Sequence, residues 1–309
     1  MIEPLLPLAG ILAFVFGWNN SSFLIGNMRA SGTLGARAAV LVSVVGLLVG
    51  TLVEGPRMLR GLDGSLAAAS PETGLATTFA LSIAFTVGLT LLKLPASFSG
   101  IMVGSFVGAA TALGLAVSTN QLILIVSFWF IGPVVAALAA FLLRKAASRI
   151  VSGLSLVGMD SFSRVGVIGG SLAVAFVLGA NNIGLMAGTA SGGDAAEGTA
   201  TAALLAAVAV VGTVAFGKGR VSDTIGDRML SLSPQGVFAV FAGAASTVLV
   251  GTLLQVPMSI GESVLGGMFG AAYSQRTTLI NRRVASISIG MWLVTPLMAF
   301  ALGFLLTPR

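Results

Sequence analysis

The chain contains no cysteine and no histidine among its 309 residues, and only 8% of its residues are charged. Without cysteine it forms no disulfide and no thiolate metal site, and without histidine it has no imidazole ligand or histidine proton relay. Soluble domains carry about 25% charged residues, so this shortage of charge excludes an ordinary soluble domain. Because 56% of the residues are hydrophobic, the composition predicts an all-α protein that crosses a membrane several times.

The chain is basic, but its basic residues do not form a patch. There are 16 Lys and Arg residues against 10 Asp and Glu residues, a net charge of +6. The basic residues are spread over the whole length, which argues against nucleic acid as a partner and fits the cytoplasmic loops of a membrane protein. The first residues have neither a basic region nor a cleavage site, so we expect them to lead into the first span rather than to form a cleaved signal peptide.

Ten apolar stretches approach the length of about 20 residues that is needed to cross the hydrocarbon core of a bilayer. They lie near residues 5–28, 38–54, 75–92, 96–117, 121–143, 166–190, 199–216, 236–254, 258–274 and 284–306. The stretches 96–117 and 258–274 follow prolines, and each could be a re-entrant hairpin or a broken helix. Irregular backbone at that depth needs protein or a water-filled cavity around it.

The sequence repeats itself at an offset of 162 residues. Positions 16–20 read Phe-Gly-Trp-Asn-Asn, and positions 178–182 read Leu-Gly-Ala-Asn-Asn. Between residues 91–110 and 253–272, 8 of 20 positions are identical without a gap. The offset predicts two membrane repeats of about five segments each, residues 1–150 and residues 151–309.

An orientation with the N-terminus outside places thirteen of the sixteen basic residues on the inside. These are Arg29, Arg37, Lys93, Arg144, Lys145, Arg149, Arg164, Lys218, Arg220, Arg228, Arg276, Arg282 and Arg283. Outside remain Arg57, Arg60 and Arg309, with Glu3, Asp63, Glu72, Asp194 and Glu197. Five crossings in each half make the two repeats inverted relative to each other, an arrangement found in secondary transporters with a substrate site near the midplane. We expect a plasma-membrane protein with both termini outside.

Two pairs of asparagines lie inside apolar stretches, Asn19 with Asn20 and Asn181 with Asn182. A buried carboxamide without hydrogen bonds costs a few kcal/mol. Each pair follows a glycine, which favours two helices that are unwound at mid-membrane around a binding site. The alternative is structural, because asparagine also joins membrane helices by hydrogen bonds.

Serines follow the two mid-membrane prolines: Ser97 and Ser99 after Pro95, and Ser259 after Pro257. Their hydroxyls, together with free helix N-terminal N–H groups, would bind an anion, although ordinary N-capping uses the same groups. Glu262 is the one acid expected within a span, where a carboxyl group is a functional candidate by default. The sequence shows no nucleophile–base pair, metal-ligand cluster or nucleotide-binding loop, so we predict neither an enzyme nor a bound cofactor.

These motifs resemble those of the inorganic phosphate transporter (PiT) family, which repeats a Gly-Ala-Asn-Asp motif and a later Pro-Val-Ser-Thr-Thr-His motif in each half. Here the first motif corresponds to residues 17–20 and 179–182, and the second to residues 95–100 and 257–262. Residues 127–133 and 290–296 resemble a further family segment with a tryptophan and a proline. The resemblance covers both halves in order and implies cation-coupled uptake of an inorganic oxyanion.

The chain departs from the family pattern at four positions. Both aspartates of the first motif are asparagines here, Asn20 and Asn182, and both histidines of the second are replaced, by Gly100 and Glu262. Phosphate at neutral pH carries a proton that a carboxylate accepts, whereas sulfate carries none. Amide N–H groups suit a deprotonated anion, so we expect sulfate as the substrate and phosphate as the alternative. We expect a proton as the coupling ion, carried by Glu262, with Na⁺ as the alternative.

Two other classes of protein remain open at this point. A passive anion channel would share the repeat but would show flux without coupling to a gradient. A non-transporting membrane scaffold would use its asparagine pairs only to join helices. Whether the protein forms a homodimer is also left open.

Overall fold

The computed structural model describes residues 5–67, 70–92, 94, 97–192, 194–216, 233–275 and 281–308, without the side chains of residues 21–23 and 30. Throughout these ranges the regular elements are helices. They are α1 (Leu6–Ala30), α2 (Ala36–Val53), α3 (Glu72–Leu91), α4 (Phe98–Ala112), α5 (Thr119–Ser152), α6 (Leu156–Val177), α7 (Gly184–Ala190), α8 (Ala195–Phe216), α9 (Pro234–Leu253), α10 (Ile260–Ser274) and α11 (Arg282–Leu306). A short 3₁₀ turn (Gly55–Met58) follows α2, and a π-helical segment (Leu178–Ile183) joins α6 to α7.

Eight helical segments of the described chain are long and apolar enough to cross a membrane, and one of them is the continuous stretch Leu156–Ala190. Helices α4 and α10 have 15 residues each, a length of about 22 Å at 1.5 Å per residue. That is too short for about 30 Å of hydrocarbon. The prediction of ten spanning segments is therefore corrected to eight candidate spans among the described residues, because the helices within the stretches 96–117 and 258–274 are too short. The protein is a helical, polytopic membrane protein.

Helices α3 and α4 run antiparallel and form a helical hairpin. At its open end, a Cβ added to Gly74 would lie 2.9 Å from Cδ1 of Leu113. At its closed end, Leu89 and Ile101 share a small apolar cluster. The structure therefore favours the hairpin over the broken helix for the stretch 96–117.

Helices α9 and α10 make an equivalent hairpin in the second half. Gly267 of α10 packs against the backbone of Val240 in α9, and near the turn the side chain of Met258 packs against Gly251. In both turns a backbone N–H bonds to a carbonyl five residues earlier: Leu94 to Leu89 at 2.9 Å, and Val256 to Gly251 at 2.8 Å. The two hairpins are thus closed by the same local geometry.

The helix boundaries repeat at the offset seen in the sequence. Helix α3 begins at residue 72 and α9 at 234, and α4 begins at residue 98 and α10 at 260, so each pair differs by 162. The contacts between the halves are reciprocal. Helix α4 packs against α11 while α10 packs against α5, and α1 packs against α8 while α2 packs against α6. Such reciprocity is expected of two equivalent units.

Glycines bring the closest of these helices into backbone contact. A Cβ at Gly17 would overlap the carbonyl oxygen of Ala209, and a Cβ at Gly179 would overlap that of Leu47. Adding 162 to Gly17 and to Leu47 gives Gly179 and Ala209, so these two contacts are equivalents of each other. The glycine before each asparagine pair therefore allows close helix packing, as small residues do in membrane proteins.

Part of the predicted charge distribution falls outside the described residues. Glu3, Lys93, Lys218, Arg220, Arg228, Arg276 and Arg309 lie there, and Pro95 does too. Of the described basic residues, Arg57 pairs with Glu54 and Arg164 lies 3.9 Å from Asp160.

Candidate functional site

Asn181 is hydrogen-bonded to the tip of the second hairpin. Its amide nitrogen donates to Oγ1 of Thr252 and to the carbonyl oxygen of Val256, both at 3.0 Å, and its amide oxygen accepts from the N–H of Met258 at 2.9 Å. The residue is completely buried. Both donor hydrogens of the carboxamide are therefore used by the protein itself. The structural alternative that the sequence left open describes this asparagine better than anion binding does.

Asn19 holds the first hairpin in the equivalent way. Its amide nitrogen donates to Oγ1 of Thr90 at 2.7 Å, and Asn19 and Thr90 are separated by the same 71 positions as Asn181 and Thr252. Unlike Asn181, Asn19 is partly exposed. Because Asn19 lies near the middle of α1, this bond places the hairpin tip at about the depth of the helix centre.

The second asparagines of the two pairs, Asn20 and Asn182, differ in burial and in hydrogen bonding. Asn20 is partly exposed and donates to the carbonyl oxygen of Phe16, one turn back in the same helix, at 3.0 Å. Asn182 is buried at 2% exposure, and its amide oxygen has no hydrogen-bond partner within the described ranges. A buried acceptor without a partner is costly, so Asn182 is a candidate for contact with a bound ligand.

The expectation that both helices are unwound at the asparagine pairs is corrected. The first pair lies in the unbroken helix α1, whereas the second lies in the π-helical segment. A π-turn is a widening of the helix that retains backbone hydrogen bonds, and π-turns are frequent at functional sites. The difference arises although both pairs follow a glycine, so glycine alone does not decide the local geometry.

The serines lie at the hairpin tips. Ser97 and Ser259 occupy the N-cap positions of α4 and α10, yet neither hydroxyl makes a capping bond. The hydroxyls of Ser97 and Ser99 are buried, and neither has a well-formed hydrogen bond to another described residue. The described structure thus shows no capping bond from Ser97 or Ser259, and the serine side chains lie near the positive N-terminal ends of two helices.

Glu262 lies where the two hairpins meet. It lies in the first turn of α10 with 6% exposure, and its carboxyl group adjoins the side chains of Ser97 and Ser259. One of its oxygens, Oε1, has no partner. At the equivalent position of the first half, Gly100, a Cβ would lie 2.7 Å from the Ser97 hydroxyl oxygen and 2.9 Å from Pro296. A second acid thus has no room there.

Among the described residues, four of the predicted site residues carry a buried polar atom without a hydrogen-bond partner: the hydroxyls of Ser97 and Ser99, the amide oxygen of Asn182 and one carboxyl oxygen of Glu262. The structure brings Glu262 together with Ser97 and Ser259. Hydroxyls donate and accept, whereas the other two atoms are acceptors, or donors once the carboxyl group is protonated. A small polar ligand with several oxygens fits such a set. No group of three or more acidic side chains that could hold a metal ion occurs in the described part of the chain.

Two threonines of the site were missed by the sequence reasoning. Thr90 and Thr252 receive the asparagine bonds, and each in turn donates to a carbonyl four residues earlier, Thr86 and Val248 respectively. The sequence holds a signal for them, because Thr90 and Thr252 are identical at the 162-residue offset and stand immediately before the matched stretch at residue 91.

Repeated halves with interrupted helices near polar groups inside a helical membrane domain are typical of small-solute membrane transporters. The chain belongs to the phosphate transporter family, whose sequence model matches residues 16–303. It is thus an anion transporter of that family and not an enzyme.

Individual relatives agree with this family over nearly the whole chain. A putative phosphate permease of Methanocaldococcus jannaschii is 22% identical over 299 residues, covering 96% of this chain and 93% of the relative. The sulfate permease CysP of Bacillus subtilis is 23% identical, covering 97% of this chain and 86% of the relative. A solved structure, the sodium-dependent phosphate transporter, matches with a TM-score of 0.83 at 16% identity and covers 98% of each chain. The fold is therefore that of a known transporter structure.

Proposed function

We propose that this protein is a secondary-active symporter that takes up inorganic phosphate, with a cation, across the plasma membrane. The observation that carries the proposal is the position of Glu262 against Ser97 and Ser259. The serine hydroxyls supply donors to phosphate oxygens. Hydrogenphosphate also carries a proton, which needs an acceptor, and the carboxyl group supplies one. Sulfate has no such proton, and an ionised Glu262 would repel it.

This proposal reverses the preference that the asparagine pairs suggested. Phosphate is named for most of the relatives, among them the M. jannaschii permease and the probable low-affinity inorganic phosphate transporter of Mycobacterium leprae. Sulfate remains the second candidate. It is favoured by the amides of Asn20 and Asn182, where the family motif has aspartate, and by the likeness to the B. subtilis sulfate permease.

The substrate is tested by competition in proteoliposomes that contain the purified protein. Uptake of labelled phosphate is measured against increasing unlabelled sulfate, and uptake of labelled sulfate against unlabelled phosphate. We expect phosphate to compete at lower concentration in both experiments. The double variant Asn20→Asp with Asn182→Asp should strengthen this preference, because two added carboxylates disfavour sulfate further. A wild type that takes sulfate better than phosphate would establish the second candidate instead.

The coupling ion is the second part of the proposal. The solved structure of similar fold is named as sodium-dependent, so a cation gradient is the expected driving force. Glu262, a buried carboxyl group at the site, favours a proton, with Na⁺ as the alternative. Uptake driven by an imposed pH gradient, compared with uptake driven by a Na⁺ gradient, separates the two. Equal flux without either gradient would indicate a passive anion channel.

The membrane arrangement follows from the hairpins. We propose that both hairpins are re-entrant, because the Asn19–Thr90 bond lies near the centre of α1. In this arrangement α3 and α9 enter the membrane but do not cross it, although they are long enough to do so. The hairpin returns the chain to the side it came from, so each half crosses the membrane three times. An odd number inverts the second half relative to the first, and the two-fold axis then lies in the membrane plane. The excess of basic residues in the inner loops places both termini outside.

A further inference from the structure

An apolar groove lies on the outer surface of the helical domain, between α5 and α10. Its volume is about 560 Å³, and its walls include Leu138 and Phe141 of α5 with Phe269 and Tyr273 of α10. Leu138 and Tyr273 are 59% and 80% exposed, so the groove opens to the surroundings rather than to the hairpin tips. On the face of a membrane helix, those surroundings are lipid acyl chains.

Cations stand at one end of this groove. The Nζ atom of Lys145 lies 4.7 Å from the ring centroid of Phe141, and the Phe141 and Tyr273 rings are 5.9 Å apart. With the amide oxygen of Gln275 turned toward it, Arg144 donates from Nε at 2.6 Å and from Nη2 at 3.0 Å. That leaves three of the five guanidinium N–H groups for a ligand.

Among the described residues, no carboxylate pairs with a cation at this end of the groove. The ion pairs of the described residues are Arg57 with Glu54 and Arg164 with Asp160, and neither involves a groove residue. Lys145 is exposed and Arg144 is half-buried. The groove therefore combines an apolar channel with an unneutralised positive end, and Tyr273, the only tyrosine of the chain, stands between them. Aromatic side chains of this amphipathic kind sit at the level of lipid headgroups.

We propose that this groove binds one anionic phospholipid of the inner leaflet. One acyl chain lies along Leu138 and Phe269, and the phosphodiester lies against Arg144 and Lys145. Charge complementarity identifies the occupant, because anionic lipids are attracted to basic residues at the cytoplasmic surface, and both cations belong to the predicted inner loops. The site is separate from the hairpin tips and does not depend on which anion is transported.

The test counts lipids that stay bound to the purified protein. The protein is exchanged into detergent with phosphatidylglycerol or with phosphatidylcholine of the same acyl chains, and native mass spectrometry follows the titration. We expect one phosphatidylglycerol to bind in preference to phosphatidylcholine. The double variant Arg144→Gln with Lys145→Gln should weaken phosphatidylglycerol binding about thirtyfold, which corresponds to about 2 kcal/mol. Arg164→Gln, which removes a cation outside the groove, should leave the binding of both lipids unchanged.

A second variant tests the apolar part without changing charge. Leu138→Trp fills the groove at an exposed position and should reduce phosphatidylglycerol binding while both cations remain. Equal binding of the two lipids by the wild type would overturn the proposal, as would unchanged phosphatidylglycerol binding in both groove variants. Displacement of the lipid by glycerol phosphate at equal concentration would show a free phosphate site instead and would also overturn it. So would a disulfide-linked dimer of Tyr273→Cys in a bilayer, since a second copy would then occupy the groove.

Discussion

The amide nitrogen of Asn181 lies 3.0 Å from Oγ1 of Thr252, 71 residues further along the chain. Asn19 and Thr90 repeat this bond in the first half at 2.7 Å. Only the second-half asparagine adds two bonds to the backbone of its hairpin tip. The two hairpins are therefore held by equivalent residues but not to the same extent, and this difference can be measured.

Asn181→Ala should destabilise the protein more than Asn19→Ala. The first change leaves buried backbone groups of Val256 and Met258 without partners, at a cost of about 1–3 kcal/mol each. The second removes one bond from a partly exposed residue, worth about 1 kcal/mol. Thermal unfolding in detergent measures both. Equal shifts in melting temperature would contradict the unequal fastening of the two hairpins.

Ser97→Ala and Ser99→Ala should lower phosphate affinity without lowering stability. Among the described residues the Ser99 hydroxyl has no hydrogen-bond partner, and the Ser97 hydroxyl has only the adjoining Glu262 carboxyl group beside it, so removing either costs little internal bonding. A hydrogen bond to a charged ligand contributes about 1.5–3 kcal/mol, so we expect affinity to fall about tenfold or more for each change. Ser43→Ala is the control, because the buried Ser43 hydroxyl bonds only to the carbonyl oxygen of Ala39 at 2.9 Å. It should cost stability and leave affinity intact.

Glu262→Gln should abolish accumulation driven by a pH gradient, because the amide cannot carry a proton. Exchange of internal for external phosphate should persist, since exchange needs no net movement of the coupling ion. The matched control is Glu72→Gln, a first-turn glutamate that is exposed at the start of α3. If Glu262→Gln accumulates phosphate as fast as the wild type along a pH gradient, then Glu262 has no part in coupling.

Cysteine labelling tests the orientation directly, because the native chain has no cysteine to react. Ser148 and Ala195 are both exposed and lie near opposite ends of the long helices. With an impermeant maleimide and intact cells, Ala195→Cys should react and Ser148→Cys should not. Permeabilised cells should label both variants. The reverse pattern in intact cells would show that the termini face the cytoplasm.

Gly17→Ala and Gly179→Ala should each prevent stable folding. The added methyl group would overlap the carbonyl oxygen of Ala209 or of Leu47, and a backbone atom cannot move aside as a flexible side chain does. The controls are Gly10→Ala and Gly169→Ala, which meet nothing within 4 Å and gain up to about 1 kcal/mol of helix propensity. Yield and melting temperature in detergent distinguish the two pairs. Normal folding of Gly17→Ala would show that the α1–α8 contact is looser than described.

The repeat could be read from the sequence because its offset is constant from the asparagine pairs to the short helices α4 and α10. The hairpins could not, because an apolar stretch after Pro95 or Pro257 has the same composition whether it turns back or continues. Contacts across the hairpins distinguish the two, such as that of Gly74 with Leu113 in the first half and of Gly267 with Val240 in the second.

The roles of individual side chains could be predicted from the sequence only in part. Glu262 was singled out as an isolated acid, but its proximity to Ser97 depends on how α4 and α10 meet. Asn181 was chosen for binding because a buried carboxamide needs partners. The sequence could not tell whether those partners were a ligand or the backbone at residues 256–258. The π-helical segment had no signal either, since the α-helical first copy carries the same Gly-x-Asn-Asn pattern.

The glycine contacts also bear on which parts of the molecule are stiff. Where a carbonyl oxygen sits against a glycine, as Ala209 does against Gly17 and Pro133 against Gly266, no rotamer change can loosen the joint. Helices joined in this way, α1 with α8 and α5 with α10, therefore keep their positions relative to each other in any conformational change. The asparagine bonds at the hairpin tips are side-chain hydrogen bonds, and these can be replaced by bonds to water or to a ligand. If the hairpin tips rearrange, the bonds of Asn19 and Asn181 are therefore the contacts that can change, whereas the glycine contacts keep their helices together.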